Sequence, residues 1–457
     1  MSLTPDKIQS NSLMVSISGI RGIIPSGLNF DSILSYSLSF AKTLNPKKVV
    51  IGRDSRPSGL YIENILSGLF LSLGINVIRV GLAPTPTLKA IVNSTKSDGG
   101  IMISASHNPI EWNAFKLVGK NGFFFNQAQI NSVKENLLSH GLLPSHLPNS
   151  KETNDPESYS QLHIDSVLKR VNVNKIRKKK FKVFIEAVNG AGSIIVPRLL
   201  ESLGCKVQKM YCEPDGKFPR PPEPTPKALV KTSKAMKASG ADIGFALDPD
   251  ADRLVVLTPK RGVISEEYTV PLSISSVIDR SKGKIAVINL SSSMVTGDIL
   301  SAHGKKLIRS KVGEANVVQM MIEEKAFFGG EGNGGVIDPL INSFGRDSLA
   351  GIAHILNYVA ESGISIDQAL NETPEIFMDK YSVSISGKDI NLLFKKLSET
   401  YNNASVDSRD GFRFDFGDSW VHVRASNTEP IMRVIAEART LDDLNSLMKK
   451  TVHIIEG

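Results

Sequence analysis

Short apolar runs, each followed by a stretch of helical period and then a second apolar run, recur along this chain. Lys48-Val49-Val50-Ile51 reads as a buried strand, a helix follows to Leu73 and stops at Gly74, and Asn76-Val77-Ile78-Arg79-Val80 reads as the next strand. Gly100-Ile101-Met102-Ile103 supplies another. The same grammar returns at Lys182-Val183-Phe184-Ile185, with a helix to Leu203 capped by Gly204 and a strand at Cys205-Lys206-Val207. It returns again at Lys284-Ile285-Ala286-Val287-Ile288, through Asp298-Ile299-Leu300 to Gly304 and on to Lys306-Leu307-Ile308. Leu73-Gly74-Ile75-Asn76-Val77 and Leu203-Gly204-Cys205-Lys206-Val207 share one pattern, which predicts three related α/β domains with mixed, mainly parallel sheets. Beyond Thr373-Pro374 the pattern changes. Tyr381-Ser382-Val383-Ser384-Ile385 alternates like a half-exposed strand, a helix follows near Ile390–Leu397, and Trp420–Val423 and Met432–Ile435 frame a loop before an amphipathic helix from Leu441. A C-terminal α+β domain is expected there, with boundaries at 1–160, 161–258, 259–374 and 375–457.

Composition narrows the partners. The chain has 457 residues, 41% hydrophobic and 22% charged, enough for several separate cores. Its charge of +8 is spread out, and the one dense basic run, Arg177-Lys178-Lys179-Lys180, has no interleaved aromatics; a small anionic substrate is expected and no nucleic acid. Cys205 and Cys212 are too few for a disulfide framework or a paired metal motif. The N-terminal stretch MSLTPDKIQSNSLMVS lacks the basic start and apolar run of a secretory leader, and no segment approaches the ~18 apolar residues needed to span a bilayer. A cytoplasmic protein with no membrane partner is expected.

The chemistry sits where strands run out, since ligands of parallel sheets gather at the carboxyl ends of strands. After Ile103 the chain breaks into Ser104-Ala105-Ser106-His107-Asn108-Pro109, where Pro109 holds Asn108 away from helix and a loop displays Ser106: a nucleophile, or merely a polar turn. His107, as the sequence neighbour, is poorly placed to act as its base. After Leu247 comes Asp248-Pro249-Asp250-Ala251-Asp252-Arg253, three carboxylates at alternate positions that suit Mg²⁺. A calcium EF-hand fails, because Arg253 stands at the sixth position and Pro259 at the twelfth, where glycine and glutamate are needed. After Phe328, Gly329-Gly330-Glu331-Gly332-Asn333-Gly334-Gly335 offers Glu331 and Asn333 to adjacent groups of a sugar, or is a flexible turn. Lys311 lies on a short turn that can face the same cleft. Ser18-Gly19-Ile20-Arg21-Gly22 presents Arg21 to an anion or forms an ordinary glycine turn. Arg424-Ala425-Ser426-Asn427-Thr428-Glu429-Pro430 offers a guanidinium, two hydroxyls and an amide, an inventory for phosphate as well as for a hairpin turn.

Together, in this order, the five loops Ser18–Gly22, Ser104–Pro109, Asp248–Arg253, Gly329–Gly335 and Arg424–Pro430 resemble the α-D-phosphohexomutase superfamily over essentially the whole chain. The resemblance implies four domains around a central cleft and a mutase that interconverts hexose 6-phosphate and 1-phosphate through a phosphoserine and a 1,6-bisphosphate. It assigns Ser106 as phosphoryl carrier, and places one Mg²⁺ on Ser106, Asp248, Asp250 and Asp252. Lys116 becomes a proton-transfer residue, with Arg21, His107 and Arg253 as electrostatic partners. Lys311, Glu331 and Asn333 bind the sugar, and Arg424, Ser426, Asn427, Thr428 and Arg433 its phosphate. Glucose or hexosamine 1,6-bisphosphate is the implied activator, and a monomer or homodimer the implied assembly. Many family members carry serine and histidine where this chain has Asn333 and Gly335. The form of this loop, with the Ser16–Gly22 start, looks more like the phosphoglucosamine mutases. Glucosamine phosphate is therefore the expected substrate, with a phosphomannomutase or phosphoglucomutase as the alternative and a metal-dependent sugar phosphatase or non-catalytic sensor behind it.

Overall fold

A computed structural model describes residues 13–137, 149–341, 343–425 and 430–457. Four sheets follow one another along the chain. The first contains β1 (Leu13–Ser16), β2 (Gly19–Ile23), β3 (Lys48–Arg53), β4 (Asn76–Leu82), β5 (Gly99–Ile103), β6 (Trp112–Val118) and β7 (Glu152–Asn154), in the order β1-β2-β6-β5-β3-β4-β7. Pairs β5-β3, β3-β4 and β4-β7 are parallel. Strand β6 returns antiparallel to β5 after the Ser106 loop, pairing Met102 with Lys116, so the loop and the lysine are brought to one end of the sheet.

The second sheet holds β8 (Lys182–Glu186), β9 (Lys206–Met210), β10 (Ile243–Leu247), β11 (Leu254–Thr258) and β12 (Gly262–Val263), and the third holds β13 (Ile285–Asn289), β14 (Lys306–Ser310), β15 (Phe328–Glu331) and β16 (Gly335–Ile337). Each repeats the first sheet's device. In both, parallel strands lead to a loop and the strand beyond it folds back antiparallel: β10 to β11 around the aspartates, β15 to β16 around the glycines. The three α/β units with mixed sheets are as the periodicity predicts. The fourth sheet, with β17 (Phe377–Ser384), β18 (Ser405–Asp407), β19 (Phe412–Asp415), β20 (Ser419–Ala425) and β21 (Ile431–Ala438), is antiparallel throughout. Helices Ile390–Thr400 and Leu441–Glu456 complete this α+β unit, their buried Leu393, Leu397, Leu444, Met448 and Ile455 meeting the sheet's Val421, Val423 and Val434.

The cores join across the units. Leu349, Ile352, Ile355 and Leu356 of the helix Ser348–Ser362 pack with Val183, Ile185 and Leu199 around the second sheet. Asp347 caps that helix through the Leu349 and Ala350 amides, and its other oxygen meets His163 Nε2 at 2.8 Å. A strap of the second unit crosses the first: a Cβ at Gly216 would lie 2.4 Å from the Ser55 carbonyl oxygen, and Phe218 lies under the Arg56 guanidinium. No helix among the described residues is long and apolar enough to cross a membrane.

Candidate active site

Ser106 stands just beyond β5 in the left-handed region, at φ +50°, an unusual conformation for a residue with a side chain. Neighbours hold it there. Ser104 Oγ accepts from the Ser106 amide at 2.9 Å, and Arg56 Nη2 donates to the carbonyls of Ser106 and Asn108 at 2.9 and 2.5 Å. Arg56 is itself fixed by a buried ion pair with Asp54. Arg21, on β2 opposite Ala114, donates to the Asn108 side chain at 2.5 Å. The Ser106 hydroxyl, held in this turn, donates to Asp248 Oδ2 at 2.8 Å.

The three aspartates lie in a turn beyond β10 rather than on the face of a strand, which revises the alternate-position argument from sequence. Ala251 sits at φ +52°, and the turn folds the Asp252 and Arg253 amides back onto Asp248 Oδ1 at 3.0 and 3.1 Å. All three carboxylates are fully buried, and one oxygen from each lies within 4.8 Å of the others. Asp250 Oδ1 and Asp252 Oδ1 have no hydrogen-bond partner. Buried carboxylate oxygens left open in this way, converging from three side chains, fit a hard divalent cation.

Two cations of the chain offset this charge. Lys116 Nζ pairs with Asp250 and lies 3.3 Å from Asp252, and Arg346 Nη2 donates to Asp252 Oδ2 at 2.7 Å. Burial, then Asp252 and Asp250, push Asp248 well above the usual carboxylate range. Burial acts the same way on Asp252, but Arg346, Lys116 and Arg253 outweigh it and hold that carboxyl low. Burial also opposes the charge on Lys116; Asp250 and Asp252 prevail and raise its pKa. His107 is different. Burial, with Arg253 and Arg21 beside it, lowers its pKa to about 2, so its imidazole is neutral; its Nδ1 stands 3.5 Å from Ser106 Oγ.

Glu331 ends β15 and is almost fully buried. Its Oε1 accepts from Asn289 Nδ2 at 2.7 Å and from the Gly313 amide at 2.9 Å, and its Oε2 accepts from Arg346 Nη1 at 3.1 Å. Asn333 Oδ1 is buried without a partner. Between them and β16, Gly334 has φ +84° and a Cβ there would lie 2.2 Å from the Leu254 carbonyl, so the loop presses on the strand that follows the aspartates. Lys311 is exposed nearby. Arg424 on β20 faces Arg433 on β21 in direct register, two like charges opposed where an anion would relieve them. Arg424 Nε is held by Asp410 Oδ1 at 3.0 Å, and Asp410 Oδ2 also accepts from the Val312 amide at 2.9 Å. Ser426, Asn427 and Thr428 lie outside the described residues.

The geometry therefore brings Ser106, Lys116, Asp248, Asp250, Asp252 and, through Arg346, Glu331 into one network. Arg253 reaches Glu223 at 2.5 Å on the strap. Sequence reasoning missed Arg56, Thr85, Arg346 and Asp410. Thr85 begins the helix Thr85–Ser94, and its hydroxyl and amide both meet Asp250, the amide donating to the Asp250 carbonyl at 3.0 Å. A faint signal existed for two of these residues. Arg56 closes the Gly52-Arg53-Asp54-Ser55-Arg56 strand end, and Arg346 precedes an N-capping aspartate.

Models of the four successive domains of phosphoglucomutase/phosphomannomutase match residues 14–141, 161–262, 267–377 and 386–454. The chain is 34% identical over 448 residues to a phosphoglucomutase/phosphomannomutase of Thermococcus kodakarensis, covering 96% of this chain and 97% of that one. A phosphoglucosamine/phosphogalactosamine mutase of Sulfurisphaera tokodaii is 30% identical over 447 residues, covering 96% and 98%. The crystal structure of a phosphoglucomutase/phosphomannomutase family protein from Burkholderia thailandensis superimposes with a TM-score of 0.83 at 24% identity, covering 97% of this chain and 98% of that one. The chain belongs to the phosphoglucomutase/phosphomannomutase family, within the α-D-phosphohexomutase superfamily. It is an enzyme of the phosphohexomutase class.

Proposed function

We propose that this phosphohexomutase converts glucosamine 6-phosphate to glucosamine 1-phosphate, with Ser106 as phosphoryl carrier. The observation that carries the assignment is the Ser106 hydroxyl 2.8 Å from Asp248, beside the partnerless oxygens of Asp250 and Asp252. Ser106, Asp248, Asp250 and Asp252 would hold one Mg²⁺. When bound, that ion supplies neutralisation of the charge on a transferring phosphoryl group.

The remaining roles belong to side chains. A sugar hydroxyl bonds to phosphorus and gives up its proton as the bond from phosphorus to Oγ breaks, and Oγ gains a proton; the bisphosphate then returns its other phosphate to Oγ, which loses that proton while the sugar oxygen released gains one. Glucose or hexosamine 1,6-bisphosphate primes the cycle. Lys116 moves the proton and, as the ammonium, stabilises negative charge; Asp250 and Asp252 favour its protonated form. Arg21 and Arg253 supply further positive charge, and His107 acts as a neutral hydrogen-bonding group. Lys311, Glu331 and Asn333 hold the sugar. Arg424 and Arg433, with Ser426, Asn427 and Thr428, hold the phosphate that is not being transferred.

Glu331 suits a 2-ammonium group, which favours the amino sugar; a carboxylate accepts equally from the ring hydroxyls of glucose and mannose phosphates, and the Thermococcus relative's name supports that second reading. Side-by-side assays with the 1- and 6-phosphates of glucosamine, glucose and mannose decide between them. Highest kcat/KM on glucosamine phosphate is expected, with loss of turnover in chelator and its return with Mg²⁺. Release of inorganic phosphate in place of the isomer would make the protein a phosphatase instead.

A further inference from the structure

Arg346 lies where the three α/β units meet, its side chain 11% exposed, and its three nitrogens serve three carboxylates from separate segments. Nη2 donates to Asp252 Oδ2 at 2.7 Å, Nη1 to Glu331 Oε2 at 3.1 Å and Nε to Glu314 Oε2 at 3.2 Å. The other oxygen of Glu314 pairs with Lys89, a buried ammonium of the first unit. Space for the arginine is reserved. A Cβ at Gly335 would lie 2.2 Å from Arg346 Cδ and 2.7 Å from its Cγ, so any side chain at 335 displaces the arginine stem. Burial opposes the guanidinium charge, yet the three carboxylates leave it firmly protonated.

We infer that Arg346 is a positioning residue that ties the sugar-loop carboxylate Glu331 to the metal-loop carboxylate Asp252, and that residue 335 is glycine to admit it. This rests on the reading of Glu331 as a sugar contact and of Asp248, Asp250 and Asp252 as metal ligands. The guanidinium acts on the two ligands in opposite directions. By fixing Glu331 it favours the sugar; by neutralising Asp252 it competes with a divalent cation for the same charge. A lysine carries the same charge but, as a point donor, cannot span separated carboxylates as the planar fork does.

The test uses the full chain with R346A, R346K, G335A and the double variant G335A/R346A. Two quantities are measured: the affinity for Mn²⁺ without substrate, by electron paramagnetic resonance titration, and the KM and kcat for sugar 6-phosphate. R346A is expected to bind Mn²⁺ about 3- to 10-fold more tightly, because Asp252 loses its counter-charge. Its KM for sugar phosphate should rise roughly 10- to 30-fold. R346K should return Mn²⁺ affinity toward wild type while KM stays raised. G335A should raise KM and tighten Mn²⁺ binding in the same direction as R346A, and add nothing further in the R346A background. Unchanged or weaker Mn²⁺ binding in R346A, full rescue of KM in R346K, or additive effects of G335A and R346A would overturn the assignment. Should R346A fail to fold by circular dichroism, R346K and G335A are judged by the same criteria. A wild type that neither binds Mn²⁺ nor turns over sugar phosphate refutes the underlying function. A wild type that does both, while the variants lose both together, refutes only the role of Arg346.

Discussion

Ser106 and Asp248 are 142 positions apart in the chain, yet the serine hydroxyl donates to the aspartate at 2.8 Å. The contact joins the loop beyond the first sheet's β5 to the loop beyond the second sheet's β10. Replacing Ser106 with alanine removes the only hydroxyl that meets the aspartates from this loop while leaving the Arg56 contacts to the backbone in place. Ser106→Ala is expected to lose nearly all turnover with an unchanged melting temperature, and peptide mapping of active wild type should find phosphate on Ser106. Full activity in the variant would refute the phosphoserine mechanism.

Arg56 is predicted to matter for stability as well as activity. It is 1% exposed, is paired with Asp54, and satisfies two carbonyls of the serine loop. Arg56→Ala leaves Asp54 buried without its partner, at an expected cost of about 3–5 kcal/mol in urea unfolding. Turnover should fall in parallel, since the Ser106 and Asn108 carbonyls then lose the guanidinium that helps hold the left-handed turn. A loss under 1 kcal/mol would show that the pair is dispensable.

These cases also show how far the sequence could be read. Strand ends were legible because apolar runs such as Gly100–Ile103 stop abruptly at small and polar residues, and the loops they open carry the distinctive chemistry. What stayed hidden is what only folding juxtaposes. Arg346 looks in sequence like one more surface charge before a helix, and its meeting with Asp252, 94 residues upstream, depends on the stacking of whole units. Asp410 likewise sits in an unremarkable turn, and only the β19–β20 hairpin carries it to Arg424. Asp248, Asp250 and Asp252 stand at alternate positions, which in sequence suggests one strand face, whereas a tight turn at Ala251 is what makes them converge.

Arg424 is paired with Asp410, and under the proposed function the sugar phosphate would break or share that pair. Arg424→Ala is expected to weaken sugar-phosphate binding by about 2–4 kcal/mol, seen as a raised KM. Phosphorylation of Ser106 by added bisphosphate should persist in part, because serine and aspartates are untouched. More bisphosphate should escape during turnover, measured directly in the reaction mixture. If neither KM nor leakage changes, the C-terminal loop is structural and the phosphate is gripped elsewhere.

A pH effect is expected from His422, well away from the aspartates. Its Nε2 donates to the Asp410 carbonyl at 2.7 Å and its Nδ1 accepts from Ser291 at 2.8 Å, which fixes a neutral ring. Burial, with Arg424 and Arg413 adding to it, lowers its pKa from 6.5 to about 4. The unfolded chain therefore binds this proton more readily than the folded one, so stability is full above pH 6.5 and declines as pH falls toward 4. Between pH 7.5 and pH 5, wild type should lose roughly 2 kcal/mol more than His422→Gln, in which an amide keeps the Asp410 contact. Equal pH dependence in the two proteins, by urea titration, would remove His422 as the source.

The division of the site between successive sheets has a consequence for the chain during its synthesis. The carboxylates that meet the Ser106 hydroxyl and the Lys116 ammonium come from Asp248, Asp250 and Asp252, in a stretch translated more than a hundred residues later. A nascent protein that has released only its first sheet thus has Ser106 and Lys116 without the three carboxylates they meet in the folded chain. Domains fold in order as they emerge. Under the proposed function, translation order would withhold phosphoryl chemistry from the ribosome-bound fragment, and a chain truncated before the second sheet would be an inert stub in place of a half-active enzyme.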